Sequence, residues 1–145
     1  ELGGYWGIDR KPKKGRLRLD SVRVLEQPGW TQNVVDVDTY GSPWKHWEAL
    51  LPNVRRPLTV FLTIGVVRAG GGGGLDKAAA GVMGLDSLPI PPGISGNLHD
   101  LALPHLLTKA ADYGIRLMEA VKADSHGNAR YVGVRLAPEA QPAQR

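Results

Sequence analysis

The chain contains no cysteine, which excludes disulfides, thiolate metal sites and cysteine nucleophiles. Any chemistry must then fall to carboxylates, histidines, hydroxyls or a bound cofactor. No apolar run approaches the roughly 20 residues of a membrane-spanning helix. The amino terminus also lacks the basic, apolar and small-residue succession of a secretory signal. The expectation is a cytoplasmic protein without membrane contact. The histidines, at positions 46, 99, 105 and 126, are scattered without metal-site spacing, so no metal is expected from them. No internal repeat is visible. What remains is one domain's worth of sequence, 145 residues of which 42% are hydrophobic, an ordinary content for a packed core. Residues 1–137 are expected to form an α/β domain and 138–145 a flexible polar tail.

The net charge is +4, and the excess is local: Arg10, Lys11, Lys13, Lys14, Arg16 and Arg18 crowd one short stretch. Such a cluster lowers the free energy of approach to a polyanion and points to DNA or RNA as partner, with Lys13, Lys14 and Arg16 as contact candidates. A solvated basic loop explains the same composition.

Tyr5 to Ile8 reads as a short strand closing on Asp9, followed by a polar turn to Gly15 and a second strand from Leu17 to Asp20. Ser21 then caps a brief helix ending at Pro28 and Gly29, although the alternation in RLRLDSVRV also fits one longer strand. Asn33 to Val37 is apolar on both faces, the pattern of a central parallel strand covered on each side. Ser42 and Pro43 open a helix as cap and first residue, with Trp44, Trp47, Leu50 and Leu51 at helical spacing. Leu58 to Val67 predicts another buried strand, so strand, helix and strand form a right-handed parallel βαβ unit. Five consecutive glycines within Arg68 to Gly74 predict a mobile segment, either a substrate-gating loop or a tolerated insertion. A short helix over Leu75 to Gly84, an irregular turn over Leu88 to Gly93 and a helix from Asn97 to Tyr113 follow. Ile115 to Val121 and Arg130 to Leu136 then pair as an antiparallel hairpin across DSHGN.

Alternating strands and helices that finish in an antiparallel hairpin resemble the class I, Rossmann-like S-adenosylmethionine-dependent methyltransferases. The segment VVDVDTYGSP carries the resemblance furthest. Its DTYGSP is similar to the Asp-Pro-Phe-Gly-Ser-Pro motif of tRNA guanine-N2 methyltransferases and, more loosely, to the Asp-Pro-Pro-Tyr motif of amino methyltransferases, with Thr39 in place of proline. The resemblance implies a mostly parallel sheet with a C-terminal antiparallel hairpin strand and S-adenosyl-L-methionine as cofactor. It places Asp9 on the cofactor ribose, Asp20 and Ser21 at the adenine, and the catalytic edge at Asp38, Tyr40 and Gly41. The family's first strand and glycine-rich turn would lie before Glu1, and the link from Asp9 to Leu17 is too short for the family's helix.

In that setting Asp38 accepts a hydrogen bond from an exocyclic base amine and localises its lone pair. Tyr40 stacks on the base, and Gly41 admits it close to the backbone. Asp36, on the same strand face, is a further cofactor-side candidate, and Pro43 and His46 are substrate-side candidates. Each residue has a plainer reading. Asp9 and Asp20 serve equally as turn and helix caps, Trp44 and Trp47 as core, and His46 as an exposed helical residue. Asp36 and Asp38 could also terminate a strand or bind a divalent metal as a nuclease does. A non-catalytic module that binds nucleic acid or a partner subunit stands beside both enzymatic readings.

Overall fold

The computed structural model describes residues 4–11, 14–39, 41–65, 81–82, 84, 103–124 and 129–139. Outside them lie Lys13, Tyr40, the pentaglycine, most of the helix expected over 75–84, the turn over 88–93, the first residues of the helix expected from Asn97, the hairpin loop and most of the tail.

The main sheet has four strands: β3 (Val34–Val37), β4 (Leu58–Gly65), β5 (Ile115–Asp124) and β6 (Ala129–Pro138). Their order is β3-β4-β6-β5. Only the ladder between β3 and β4 is parallel, with Val35 opposite Val60 and Val37 opposite Leu62. Strand β6 lies antiparallel to both of its neighbours. The expectation of a mostly parallel Rossmann-like sheet is therefore corrected to a mixed sheet. The physical reason is that, among the described residues, one helical crossover joins one parallel pair, whereas the tight return from β5 to β6 makes an antiparallel ladder and places β6 beside β4.

Strand β4 is continuous in apolar character yet alternates in burial. Leu58, Val60, Leu62 and Ile64 are buried, while Phe61 on the opposite face is 49% exposed. The same face leaves Val34 and Asp36 of β3 exposed. Strand β3 is thus an edge strand within the described sheet, not a central strand covered on both sides. Its burial is one-sided because the covering elements lie on one side. Val37 and the alternate residues of β4 and β6 pack with Trp44, Trp47, Leu50, Leu51, Val54, Leu106 and Ala110 in a single core. Each fully buried aliphatic side chain contributes on the order of 1.5–3 kcal/mol. On the open face Phe61 covers Gly133, whose added Cβ would sit 3.3 Å from the ring.

Helix α2 (Trp44–Leu50) begins one residue later than the sequence suggests. Pro43 is its cap residue, and Ser42 instead accepts a 3.4 Å hydrogen bond from the Trp44 amide. The fixed φ of proline suits the entry to a helix, and Trp44 and Trp47 fall on the buried face, in keeping with their spacing. The Trp47 indole N–H donates to the Leu106 carbonyl at 2.9 Å, which ties α2 to the helical residues 103–108. A 3-10 turn at Lys109–Tyr113 follows, and Gly114 ends it in the left-handed conformation, φ 65°.

Helix α1 (Ser21–Glu26) is capped by Asp20 rather than by Ser21. The Asp20 carboxylate accepts from the amides of Val22 and Arg23. The alternative of one long strand through this region is excluded. Upstream, β1 (Ile8–Asp9) and β2 (Leu17–Arg18) form a separate two-stranded parallel sheet. Their link is shorter than the dozen or more residues of an ordinary parallel crossover, and no helix is described within it.

Candidate functional site

The carboxyl ends of β3 and β4 meet at two glycines. The Gly65 amide donates to the Gly41 carbonyl at 2.6 Å, and Gly41 has φ 101°, a conformation that side chains rarely allow. A Cβ on Gly65 would lie 2.9 Å from both Cα and O of Gly41. The turn after Asp38 is therefore locked against the neighbouring strand. The freedom of Gly41 serves this apposition directly, whatever else approaches it.

Asp38 follows the last residue of β3 and is exposed, while Thr39, Gly41, Ser42 and His46 are partly buried and Pro43 is buried. Among the described residues three buried side-chain atoms have no hydrogen-bond partner: Thr39 Oγ1, Trp44 Nε1 and His46 Nδ1. All three belong to the segment from the end of β3 into the first turn of α2. A buried polar atom without a partner costs about 1–3 kcal/mol, and folded proteins retain few of them. Their concentration beside an exposed carboxylate marks this segment chemically.

Helix α1 packs on α2, and one hydrogen bond, 2.8 Å long, joins Ser21 Oγ to His46 Nε2. Burial lowers the His46 pKa below its ordinary value. The nearby Asp20 opposes the shift and Arg10 reinforces it. The imidazole is neutral at pH 7, with one nitrogen engaged by Ser21 and the other unpartnered.

Asp20 is more heavily engaged. Besides capping α1 it accepts from both Nε and Nη2 of Arg10, and the Arg10 bonds are the largest cause of a lowered pKa, with the α1 amides adding to them. Asp9 accepts from the Lys11 amide at 2.9 Å and from Arg16 at 3.3 Å. Asp36 lies in β3 and Asp38 just beyond its end, close enough for the two charges to interact. Partial burial raises the Asp36 pKa, and the Asp38 charge raises it further. Among the described residues no group of three or more side chains of metal-ligating type comes together, so these two carboxylates stand as a pair. Lys14 is exposed.

Asp9, Asp20 and Ser21 stand in the expected order, but ribose or adenine there would have to displace Arg16 from Asp9, Arg10 from Asp20 and His46 from Ser21. As arranged, they do not offer an open donor set for S-adenosylmethionine. A cavity formed by described residues also does not coincide with the segment from Asp38 to His46. It has a volume of about 450 Å³ and lies on the open sheet face, lined by Asn33, Thr59, Phe61, Glu119, Val121 and Arg135 among others. Residue spacing does not signal the Ser21–His46 bond or the Gly41–Gly65 apposition, since both join segments distant in sequence. Thr39 is marked in the sequence as the residue that replaces the motif's proline, which carries no signal of its buried hydroxyl. Comparison with protein-family models, curated proteins and solved structures gave no match.

Proposed function

We propose that the segment from Asp38 to His46 is the substrate-facing edge of an S-adenosylmethionine-dependent methyltransferase acting on an exocyclic amine of a nucleic-acid base. The observation that carries this reading is the set of three buried polar atoms, at Thr39, Trp44 and His46, that have no partner among the described residues and follow the exposed Asp38 within eight residues of the chain. The motif likeness and the antiparallel hairpin support it. An aromatic amine is a weak nucleophile because its lone pair is delocalised into the ring. A carboxylate that accepts one of its N–H bonds draws electron density back to nitrogen and offsets the positive charge that develops there. The reading takes S-adenosylmethionine as methyl donor, for which Asp9, Asp20 and Ser21 would first have to give up their internal partners, and sets the protein in the cytoplasm. No helix among the described residues is long and apolar enough to cross a membrane.

Incubation of the chain with pooled RNA and DNA and methyl-labelled S-adenosylmethionine is expected to label nucleic acid. Asp38→Asn, which keeps the shape and removes the charge, should lower the rate about a hundredfold or more. If the wild-type chain neither transfers label nor binds the cofactor, the reading fails.

A second reading is favoured by the engagement of Asp9, Asp20 and Ser21 in internal bonds. On it the chain is a non-catalytic module that binds nucleic acid through its basic stretch. Nucleic-acid binding without cofactor binding would select it. The nuclease alternative rests on Asp36 and Asp38 alone, and magnesium-dependent cleavage without cofactor would reveal it.

A further inference from the structure

Ahead of β1, Gly7 is buried, and its carbonyl accepts from the Leu17 amide at 2.7 Å. The space that a Cβ on Gly7 would take is already bounded by two side chains: Arg16 Cγ would lie at 3.0 Å and Tyr5 Cε1 at 3.3 Å. The space beside Gly7 is thus bordered by both an aromatic ring and an arginine stem, at the start of the small sheet. Tyr5 is 85% exposed, and its ring serves no core. Arg18 is paired in register with Asp9, next to Arg16. Lys11 and Lys14 are exposed on the link between the strands. Among the described residues Lys11, Lys14 and Arg18 form no ion pair, so their charge is available to an outside anion.

We infer that Tyr5, Arg18, Lys11 and Lys14 form a binding surface for single-stranded nucleic acid, with the Tyr5 ring as a stacking platform beside the Arg16 stem and the three unpaired cations along the phosphate backbone. The pairing of the two features selects this partner. Cations alone attract any polyanion, but an exposed ring held among them offers a base its π-face, and only an unpaired base can present its own face in return. A duplex would engage the cations and leave the ring unused. DNA and RNA strands share this chemistry. The inference rests on the nucleic-acid reading above for its partner class, but its test requires no methyl transfer.

The test is fluorescence anisotropy of the full chain with labelled oligothymidine, oligouridine and a DNA duplex of equal length. Either or both single strands should bind, the duplex more weakly. Tyr5→Ala should weaken single-strand binding on the order of tenfold, with an unchanged salt dependence, and Tyr5→Phe should retain it. Lys11→Ala should reduce the slope of log affinity against log salt by about 0.7, the value of one phosphate contact on a single strand. Because Tyr5 is so exposed, circular dichroism and the unfolding midpoint should not change in its variants. The inference is overturned if no strand binds, if Tyr5→Ala binds as wild type does, or if the duplex binds as tightly as a single strand. Single-strand binding that depends on Tyr5, without methyl transfer, would sink the enzymatic reading and leave this one standing. Methyl transfer to nucleic acid that is indifferent to Tyr5 would do the reverse.

Discussion

Gly65→Ala tests the apposition on which the site is built. The new Cβ would lie 2.9 Å from both Cα and O of Gly41 and 3.3 Å from its carbonyl carbon, where relaxed carbon contacts are about 3.5–4.0 Å. Two of the three atoms must therefore retreat by more than half an ångström. All three are backbone, so no side-chain rotation relieves the clash. The 2.6 Å hydrogen bond between the same residues would lengthen, and Gly41 is already committed to a positive φ. Overpacking of this kind destabilises by about 1–3 kcal/mol, and relief of glycine's extra chain entropy returns roughly 0.5–1 kcal/mol. The net expectation is a loss of about 1–2 kcal/mol. It would be read from urea unfolding monitored by tryptophan fluorescence, with the midpoint lowered and the slope unchanged. Gly4→Ala is the matched control, since nothing lies within 4 Å of a Cβ there. If Gly65→Ala unfolds at the same midpoint as Gly4→Ala, the two strand ends are not locked in the way described.

The two buried tryptophans should respond differently to removal of their N–H groups. Trp47→Phe leaves the Leu106 carbonyl without its donor, whereas Trp44→Phe removes an N–H that has no partner. Both lose similar volume, so a deficit of about 1 kcal/mol or more for Trp47→Phe relative to Trp44→Phe is expected in the same unfolding assay, and equal losses would contradict the bond assignment. Because burial depresses the His46 pKa, the unfolded chain takes up more protons than the native one as pH falls below the unfolded value of about 6.5. Stability is then lost toward acid, and His46→Gln should show a smaller drop in Tm between pH 7.5 and 5.5 than wild type; parallel pH profiles would refute this. Asp36 is shifted in the opposite sense, so its ionised form is the disfavoured one in the native state. Asp36→Asn should raise stability slightly at pH 7, by about 1 kcal/mol or less given solvent screening, and the advantage should vanish as the wild-type carboxyl protonates in acid. A variant less stable than wild type at neutral pH would show that Asp36 makes a favourable contact.

Strand existence was readable from sequence, but strand environment was not. VVDV and LTVFLTIG are both apolar runs, and apolar character alone does not separate a strand buried on two faces from one buried on a single face. The distinguishing signal was weak but present: Thr59 and Thr63 fall in the same alternate set as Phe61, on the face left open. Cap assignments missed by one residue for a related reason. Asp20 and Ser21 are both good cap formers, and only the geometry shows the carboxylate reaching the Val22 and Arg23 amides while the hydroxyl turns to His46. Pro43 likewise takes the cap position expected of Ser42, and the helix starts at Trp44.

Helix α2 explains why the marked segment can keep unpartnered atoms at all. Trp44, Trp47 and Leu50 are completely buried, so the helix is fixed by core packing and does not depend on the polar groups at its start. The free energy lost at Thr39 Oγ1, Trp44 Nε1 and His46 Nδ1 can then be tolerated locally, because the rest of the helix holds the backbone in place. On the other side the Gly41–Gly65 contact fixes the turn that enters the helix. With the backbone held on both sides, rearrangement of the segment itself does not satisfy these atoms.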